Sequence, residues 1–243
     1  MTESSSVSSA YNKWHDSLGI ETETQCPWHQ SIRKALPRIG GLGGKRILEI
    51  GCGRGAFSIW MASQRPAPAG IVAADFSERA VELGAEAAVK VGVSGIQWEV
   101  QDIQRIRHPD NSFDLVVSCE TIEHVPDSAA ALRELARVLK PGGQLMLTHP
   151  NYLSTFGLYR IYFYLRGRTF TEEGQPINHP LRITQVLKWV REAGLQIEHF
   201  TGCGQYLFIP GRAPLQLRWA ERPRWLMRWF GFHPLVVAVK PIA

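Results

Sequence analysis

Residues 47–55 read ILEIGCGRG: a short β-favouring run with an acid at Glu49, then glycine at 51, 53 and 55. This segment constrains the chain more than any other. An apolar strand that breaks into alternating glycines must turn sharply, since glycine takes backbone angles that side chains resist, and bare backbone lets a ligand lie against it. The following AFSIWMASQ reads as a helix whose first N–H groups and positive dipole end favour something anionic. A nucleotide-like ligand satisfies both properties.

The rest of the chain supplies strands and helices in alternation. KRILEI (45–50), GIVAAD (70–75), IQWEV (96–100), FDLVVS (113–118) and QLMLTH (144–149) are β-rich, and the first, second and fourth are almost uniformly apolar, as strands covered on both faces should be. Ser77 stands in the N-cap position before ERAVELGAEAAVK, and Ser128 before AAALRELARVL, whose Leu132, Leu135, Ala136 and Leu139 fall on one stripe. That second helix is expected to stop at Pro141, Gly142 and Gly143, a turn into the next strand. LQIEHFT (195–201) and PLVVAVK (234–240) read as the last two strands. Such alternation implies a parallel sheet with right-handed crossovers, whose ligands bind beyond the carboxyl ends of the strands. The glycine loop is at such an end.

A chain of 243 residues can bury a sizeable core as one domain, and 44% hydrophobic with 20% charged residues is an ordinary soluble composition. No apolar run approaches the roughly 18 residues that cross a bilayer. MTESSSVSSA has neither a basic start nor an apolar stretch, so a cytoplasmic location is expected, with about the first ten residues frayed. Cys26, Cys52, Cys119 and Cys203 show no CxxC spacing, so reduced thiols are expected rather than a zinc site or a disulfide framework. Charge is uneven: residues 151–243 carry 12 Lys+Arg against 5 Asp+Glu, while residues 1–150 carry 15 against 17.

Asp75 stands 20 residues past Gly55 at the end of the second strand, where it is expected to accept both hydroxyls of a ribose. The loop also satisfies a looser dinucleotide pattern, which keeps an NAD-dependent oxidoreductase as an alternative. Glu49, the third alternate glycine Gly55, Asp102 just past the third strand, and FDLVVSCETIEHVPD followed by LRELARVLKPGGQLML point elsewhere. Together they resemble class I S-adenosylmethionine-dependent methyltransferases over about residues 45–150. The resemblance implies an α/β fold, Rossmann-like, with a seven-stranded, mostly parallel sheet, helices on both faces and a variable cap. It implies S-adenosyl-L-methionine as cofactor, with Glu49, Gly51, Cys52, Gly53 and Gly55 around its methionine part, Asp75 on the ribose and Phe76 beside the adenine. Asp102 would accept from the adenine amino group, Ile103 would add a backbone contact, and Ser118 and Cys119 would floor the site near the sulfonium. Phe76 and Ile103 also suit plain core packing, and Asp75 and Asp102 also suit capping.

Methyl transfer from a sulfonium needs chiefly an oriented acceptor and the exclusion of water, so no metal is expected. A hydroxyl acceptor must lose a proton, and neutral imidazole is a suitable base. Three histidines are candidates: His149 directly after the fifth strand, His179 in the QPINHP loop, and His124 in CETIEHVPD. The alternative for each is bonding to local backbone or packing.

One domain is expected, with residues 1–44 as an N-terminal helical cover, 45–150 as the cofactor core, and 151–180 and 202–233 as cap insertions. Tyr11, Trp14, Trp28 and His29 resemble the N-terminal helices that family members fold over the cofactor; covering the sheet edge is the alternative. Tyr152, Phe156, Tyr159, Tyr162, Phe163 and Tyr164 suit an apolar acceptor pocket. Between the last two strands, Arg212, Arg218, Arg222, Arg224 and Arg228 mix with Trp219, Trp225 and Trp229, a combination suited to a membrane surface across 212–230, to an anionic or nucleic-acid acceptor, or to simple packing with arginines in water. Pro214 and Pro223 interrupt any single long helix there. The expectation is O-methylation of a small, hydroxylated, apolar acceptor, with nitrogen or carbon methylation of a small or lipid-linked acceptor and a catalytically silent binding module as alternatives. A nucleic acid is not expected as a partner, and oligomeric state is not legible.

Overall fold

A computed structural model describes residues 3–17, 26–167, 175, 177–207, 215–217, 222 and 224–242. Two helices, α1 (Glu3–Ser17) and α2 (Pro27–Ala35), precede the first strand. Strands β1 (Arg46–Ile50), β2 (Gly70–Asp75), β3 (Ile96–Val100), β4 (Phe113–Cys119) and β5 (Leu139–Thr148) alternate with α3 (Ala56–Ala62), α4 (Glu78–Lys90) and α5 (Ser128–Val138), except between β3 and β4. Then come α6 (Thr155–Leu165), α7 (Ile183–Glu192), β6 (Gln196–Cys203), the short pair β7 (Tyr206–Leu207) and β8 (Leu215–Gln216), α8 (Arg224–Phe230) and β9 (His233–Val239).

The main sheet has seven strands in the order β3-β2-β1-β4-β5-β9-β6, with β9 antiparallel to both of its neighbours and the other pairs parallel. Chain direction across the sheet reverses between β1 and β4, so the loops after these two strands part and leave a crevice. The alternation of buried residues explains the two layers. Leu48, Ile50 and Val116 face a core with Leu132 and Leu135 of α5 and Val186 and Val190 of α7, whereas Ile47, Leu115 and Val117 face Ile32 of α2 and Phe57 and Met61 of α3. Trp98 of β3 fills the space against two glycines, because a Cβ on Gly55 or on Gly84 of α4 would stand 2.1 or 2.4 Å from its ring.

Three local expectations are corrected. Asp127, not Ser128, caps α5: its carboxylate accepts from Ala130 N at 2.9 Å, while the Ser128 hydroxyl donates to Ile122 O. Leu139 belongs to β5 and pairs with Phe113, and the Pro-Gly-Gly run lies within β5 as a register break before Gln144 pairs with Leu115. The polar N-terminus is helical from Glu3 rather than frayed. Polar contacts hold that helix to the body: Ser77 Oγ donates to Asn12 at 2.6 Å, Arg79 pairs with Asp16 at 2.8 Å, and Arg54 donates to His15 O at 2.9 Å.

The cap is tied together by Asn151, which is fully buried. Its amide donates to Trp229 O and Gly231 O, and its oxygen accepts from the backbone of Leu153 and Ile183, linking the ends of β5 and α8 to the starts of α6 and α7. Of the insertion aromatics, Phe156 is buried against Tyr152 and Phe232, but Tyr164 is 79% exposed. Arg212, Arg218 and Trp219, with Pro214 and Pro223, lie outside the described residues.

Candidate active site

The loops at the carboxyl ends of β1 to β4, together with α1 and α2, enclose a cavity of about 690 Å³. Glu49, Gly51, Cys52, Gly53, Asp75, Phe76, Asp102, Ile103 and Cys119 all line it, as do Tyr11, Trp14, Trp28 and His29 of the N-terminal segment. Gly55 and Ser118 do not. Gly55 sits over Trp98 at φ +72°, so its glycine is required by packing and backbone. Ser118 is fully buried on the strand face opposite Cys119, as the two-residue period of β4 dictates.

Asp75 organises the loop. Its Oδ2 accepts from Gly53 N at 2.8 Å and its Oδ1 from Ser77 N at 2.9 Å, while Gly51 N and Cys52 N both donate to Ala74 O. The end of β2 therefore holds the turn that follows β1. Gly51 has φ +76°, and a Cβ there would stand 2.1 Å from the Thr121 hydroxyl, so loop and β4 extension touch where only glycine fits. Gly53, at φ +51°, has nothing within 4 Å of a would-be Cβ. Asp102 accepts from Gln104 N at 2.8 Å, which fixes its turn.

Glu49 points from β1 into the same region, only 2% exposed, and its Oε2 accepts from the Ser58 hydroxyl. Burial pushes its carboxyl up to about 8, against the opposing bond from Ser58. The buried thiols of Cys52 and Cys119 are raised by the same loss of solvation.

The three candidate histidines separate. His124 lines the cavity with its Nδ1 2.7 Å from Ile177 O, and burial lowers it. His149 is fully buried away from the cavity, its Nδ1 2.9 Å from Pro150 O, and burial holds it down to about 4. His179 is exposed and contributes its backbone N–H to Glu123 O at 2.8 Å. Neither of these two lines the cavity.

A carboxylate stands there instead. Glu120 directly follows β4 with φ +47°, a strained backbone for a side-chain-bearing residue, and its N–H is held by Thr148 O at 3.1 Å. Its Oε2 lies 2.8 Å from Nδ1 of His233 at the start of β9. Burial alone would raise Glu120, but His233, the Thr148 side chain and His149 together outweigh it and lower the carboxyl. Sequence reading passed over Glu120, although its place at the carboxyl end of a central strand was visible; His233, 113 positions away, carried no such signal.

Residues 48–147 match the family described as Methyltransferase domain. The ubiquinone biosynthesis O-methyltransferase of Xanthomonas euvesicatoria pv. vesicatoria (strain 85-10) is 30% identical over 235 residues, covering 95% of this chain and 90% of that protein. The chain belongs to the methyltransferase domain family. The 27-O-demethylrifamycin SV methyltransferase of Amycolatopsis mediterranei (strain S699) is 30% identical to this methyltransferase over 203 residues, covering 79% of this chain and 71% of the relative. The structure of the S-adenosylmethionine-dependent methyltransferase from Mesorhizobium loti superposes with a TM-score of 0.60 at 21% identity, covering 88% of this chain and 98% of that one.

S-adenosylmethionine is the cofactor of this methyltransferase, and the cavity fits it. Each Asp75 oxygen accepts one backbone N–H and keeps lone pairs for a ribose hydroxyl. Open space at Gly53 lets a ligand approach bare backbone, and Glu49 offers a carboxylate to a cationic amino-acid end.

The raised Glu49 has a consequence for stability. A buried acid held protonated favours the folded state fully below the ordinary carboxylate range, and this contribution is lost as pH rises through about 8. From about pH 7.5, where an ordinary histidine has lost its proton, to about 8, the melting temperature of the cofactor-free protein is expected to fall. Glu49→Gln should flatten that slope in thermal melts; an unchanged slope would show that Glu49 is ionised in the folded chain.

Proposed function

We propose that this methyltransferase transfers the methyl group of S-adenosylmethionine to a hydroxyl oxygen of a small, largely apolar acceptor in the cytoplasm. Residues 1–243 act as one domain in this reading, with 1–44 as cover, 45–150 as cofactor core, and 151–180 and 202–233 as cap. The observation that carries it is the cavity-lining Glu120, whose carboxylate is held in place by Nδ1 of His233 at 2.8 Å. The names of the two relatives at 30% identity, an O-methyltransferase and a 27-O-demethylrifamycin SV methyltransferase, support oxygen as the methylated atom.

The cofactor, when bound, supplies a methyl carbon that is already electrophilic. This chain's residues do the rest. Glu49 and the backbone of Gly51 to Gly53 hold the methionine end, Asp75 the ribose, and Phe76, Asp102 and Ile103 the adenine. Trp14 and Trp28 exclude water from above. Glu120 receives the acceptor's proton while His233 keeps the carboxylate from rotating. His124, kept neutral by burial, faces the same cavity and is the second candidate for that proton.

Two substitutions test this. Asp75→Ala should weaken calorimetric binding of S-adenosylhomocysteine by about 1 to 3 kcal/mol, since it removes a charged acceptor and unpins the loop; full affinity in a folded variant would refute the assignment. Glu120→Gln should lower turnover of a phenolic acceptor by roughly a hundredfold or more with cofactor affinity preserved. If His124→Asn causes that loss and Glu120→Gln does not, the proton goes to the imidazole.

A second reading concerns the membrane. Leu158, Ile161, Tyr164 and Leu165 of α6 and Trp225, Leu226, Trp229 and Phe230 of α8 are exposed apolar residues, and a groove of about 750 Å³ lies between the two helices. Arg224 and Arg228 stand among them on α8, in the basic C-terminal part of the chain. We propose that this face rests on an anionic bilayer surface. No helix among the described residues is long and apolar enough to cross one. Co-sedimentation with vesicles rich in phosphatidylglycerol, more than with neutral ones, is expected, and replacing Trp225 and Trp229 by Ala should reduce it several-fold; absence of binding to both kinds of vesicle would sink this reading.

A further inference from the structure

At the inner end of the cavity three side chains from distant parts of the chain converge. The ligand atoms of His29 on α2, Glu49 on β1 and Cys119 on β4 all lie within 4.8 Å of one another, with Glu49 and Cys119 buried. Stacking on Phe57, 4.5 Å away at 10°, orients the His29 ring, and Cys26 places a second sulfur 2.8 Å from its Nδ1. The Ser58 hydroxyl on one oxygen of Glu49 orients the carboxyl in turn. No CxxC spacing announces this group, because the fold rather than the local sequence assembles it.

We propose that His29, Glu49 and Cys119 bind a borderline-soft divalent cation, Zn²⁺ by preference. One imidazole nitrogen, one carboxylate oxygen and one thiolate match its ligand chemistry and leave a fourth tetrahedral position open to water, whereas hard Mg²⁺ and Ca²⁺ select oxygen-rich sets. Binding forms one bond from the metal to each of S, N and O, and the protons of the thiol and the carboxyl pass to solvent. Partners already fixing the imidazole and the carboxyl act as supports of the kind that orient metal ligands elsewhere. Because Glu49 also faces the cofactor's amino-acid end, metal and cofactor exclude each other. That last clause rests on the cofactor placement above; the metal site itself does not.

Cobalt(II) is the probe, added to the purified full-length chain. A thiolate-to-cobalt charge-transfer band in the near ultraviolet is expected, displaced by stoichiometric Zn²⁺ and untouched by excess Mg²⁺. Cys119→Ser should abolish the band and weaken Zn²⁺ binding by more than roughly a hundredfold, beyond the 10 to 100-fold attributed to supporting partners alone. His29→Gln serves as the second variant if the first does not fold. No band in the native chain, or a band that survives in folded Cys119→Ser, overturns the proposal. Saturation with S-adenosylhomocysteine beforehand should suppress the band; a band that persists would leave the metal site standing and remove Glu49 from the cofactor assignment.

Discussion

The grip of the Asp75 carboxylate on two backbone N–H groups is the interaction on which the site depends. One oxygen holds Gly53 and the other Ser77, so a single side chain at the end of β2 fixes both the turn after β1 and the entry to α4. A carboxylate accepting backbone N–H bonds is held in one orientation, and charge-assisted bonds of this kind are stronger than neutral ones. The glycines at 51 and 53 allow the loop to reach that grip. Gly55 is required for a different reason, the indole of Trp98 beneath it.

Much of this was legible in the sequence because it is local. The runs at 47–50, apolar but for Glu49, at 71–74 and at 115–117 are strands buried on both sides, and a run of that kind has few alternatives. Ser77 caps α4 as its position promised, accepting from Ala80 N. The resemblance of the motif set also implied a seven-stranded, mostly parallel sheet, and the structure has one, although the order of its strands was not read from the sequence.

What was not legible depends on which side of a strand or loop a side chain leaves. His149 follows β5 at the expected edge, yet the chain turns so that it is fully buried, with Pro150 O beside its Nδ1. Glu120 owes its place to a left-handed backbone that no residue-type preference would assign to a glutamate. By composition the aromatic insertion suits a pocket wall; in α6 Phe156 alone is buried, while Tyr152 just before it lines the groove beside α8. Long-range partners such as His233 for Glu120 and Asn151 for the cap segments are set by topology, and composition is blind to it.

The attachment of α1 is salt-dependent. It is tied to the body by Asn12 on Ser77, Asp16 on Arg79 and the Arg54 guanidinium on its carbonyl end, and Arg79 and Asp16 are both solvent-accessible. Exposed ion pairs weaken as ionic strength rises, while apolar packing between sheet and helices is little affected. Of these ties the Arg79–Asp16 pair is the exposed ion pair, so added salt loosens one fastening of α1 and leaves the sheet beneath as stable as before.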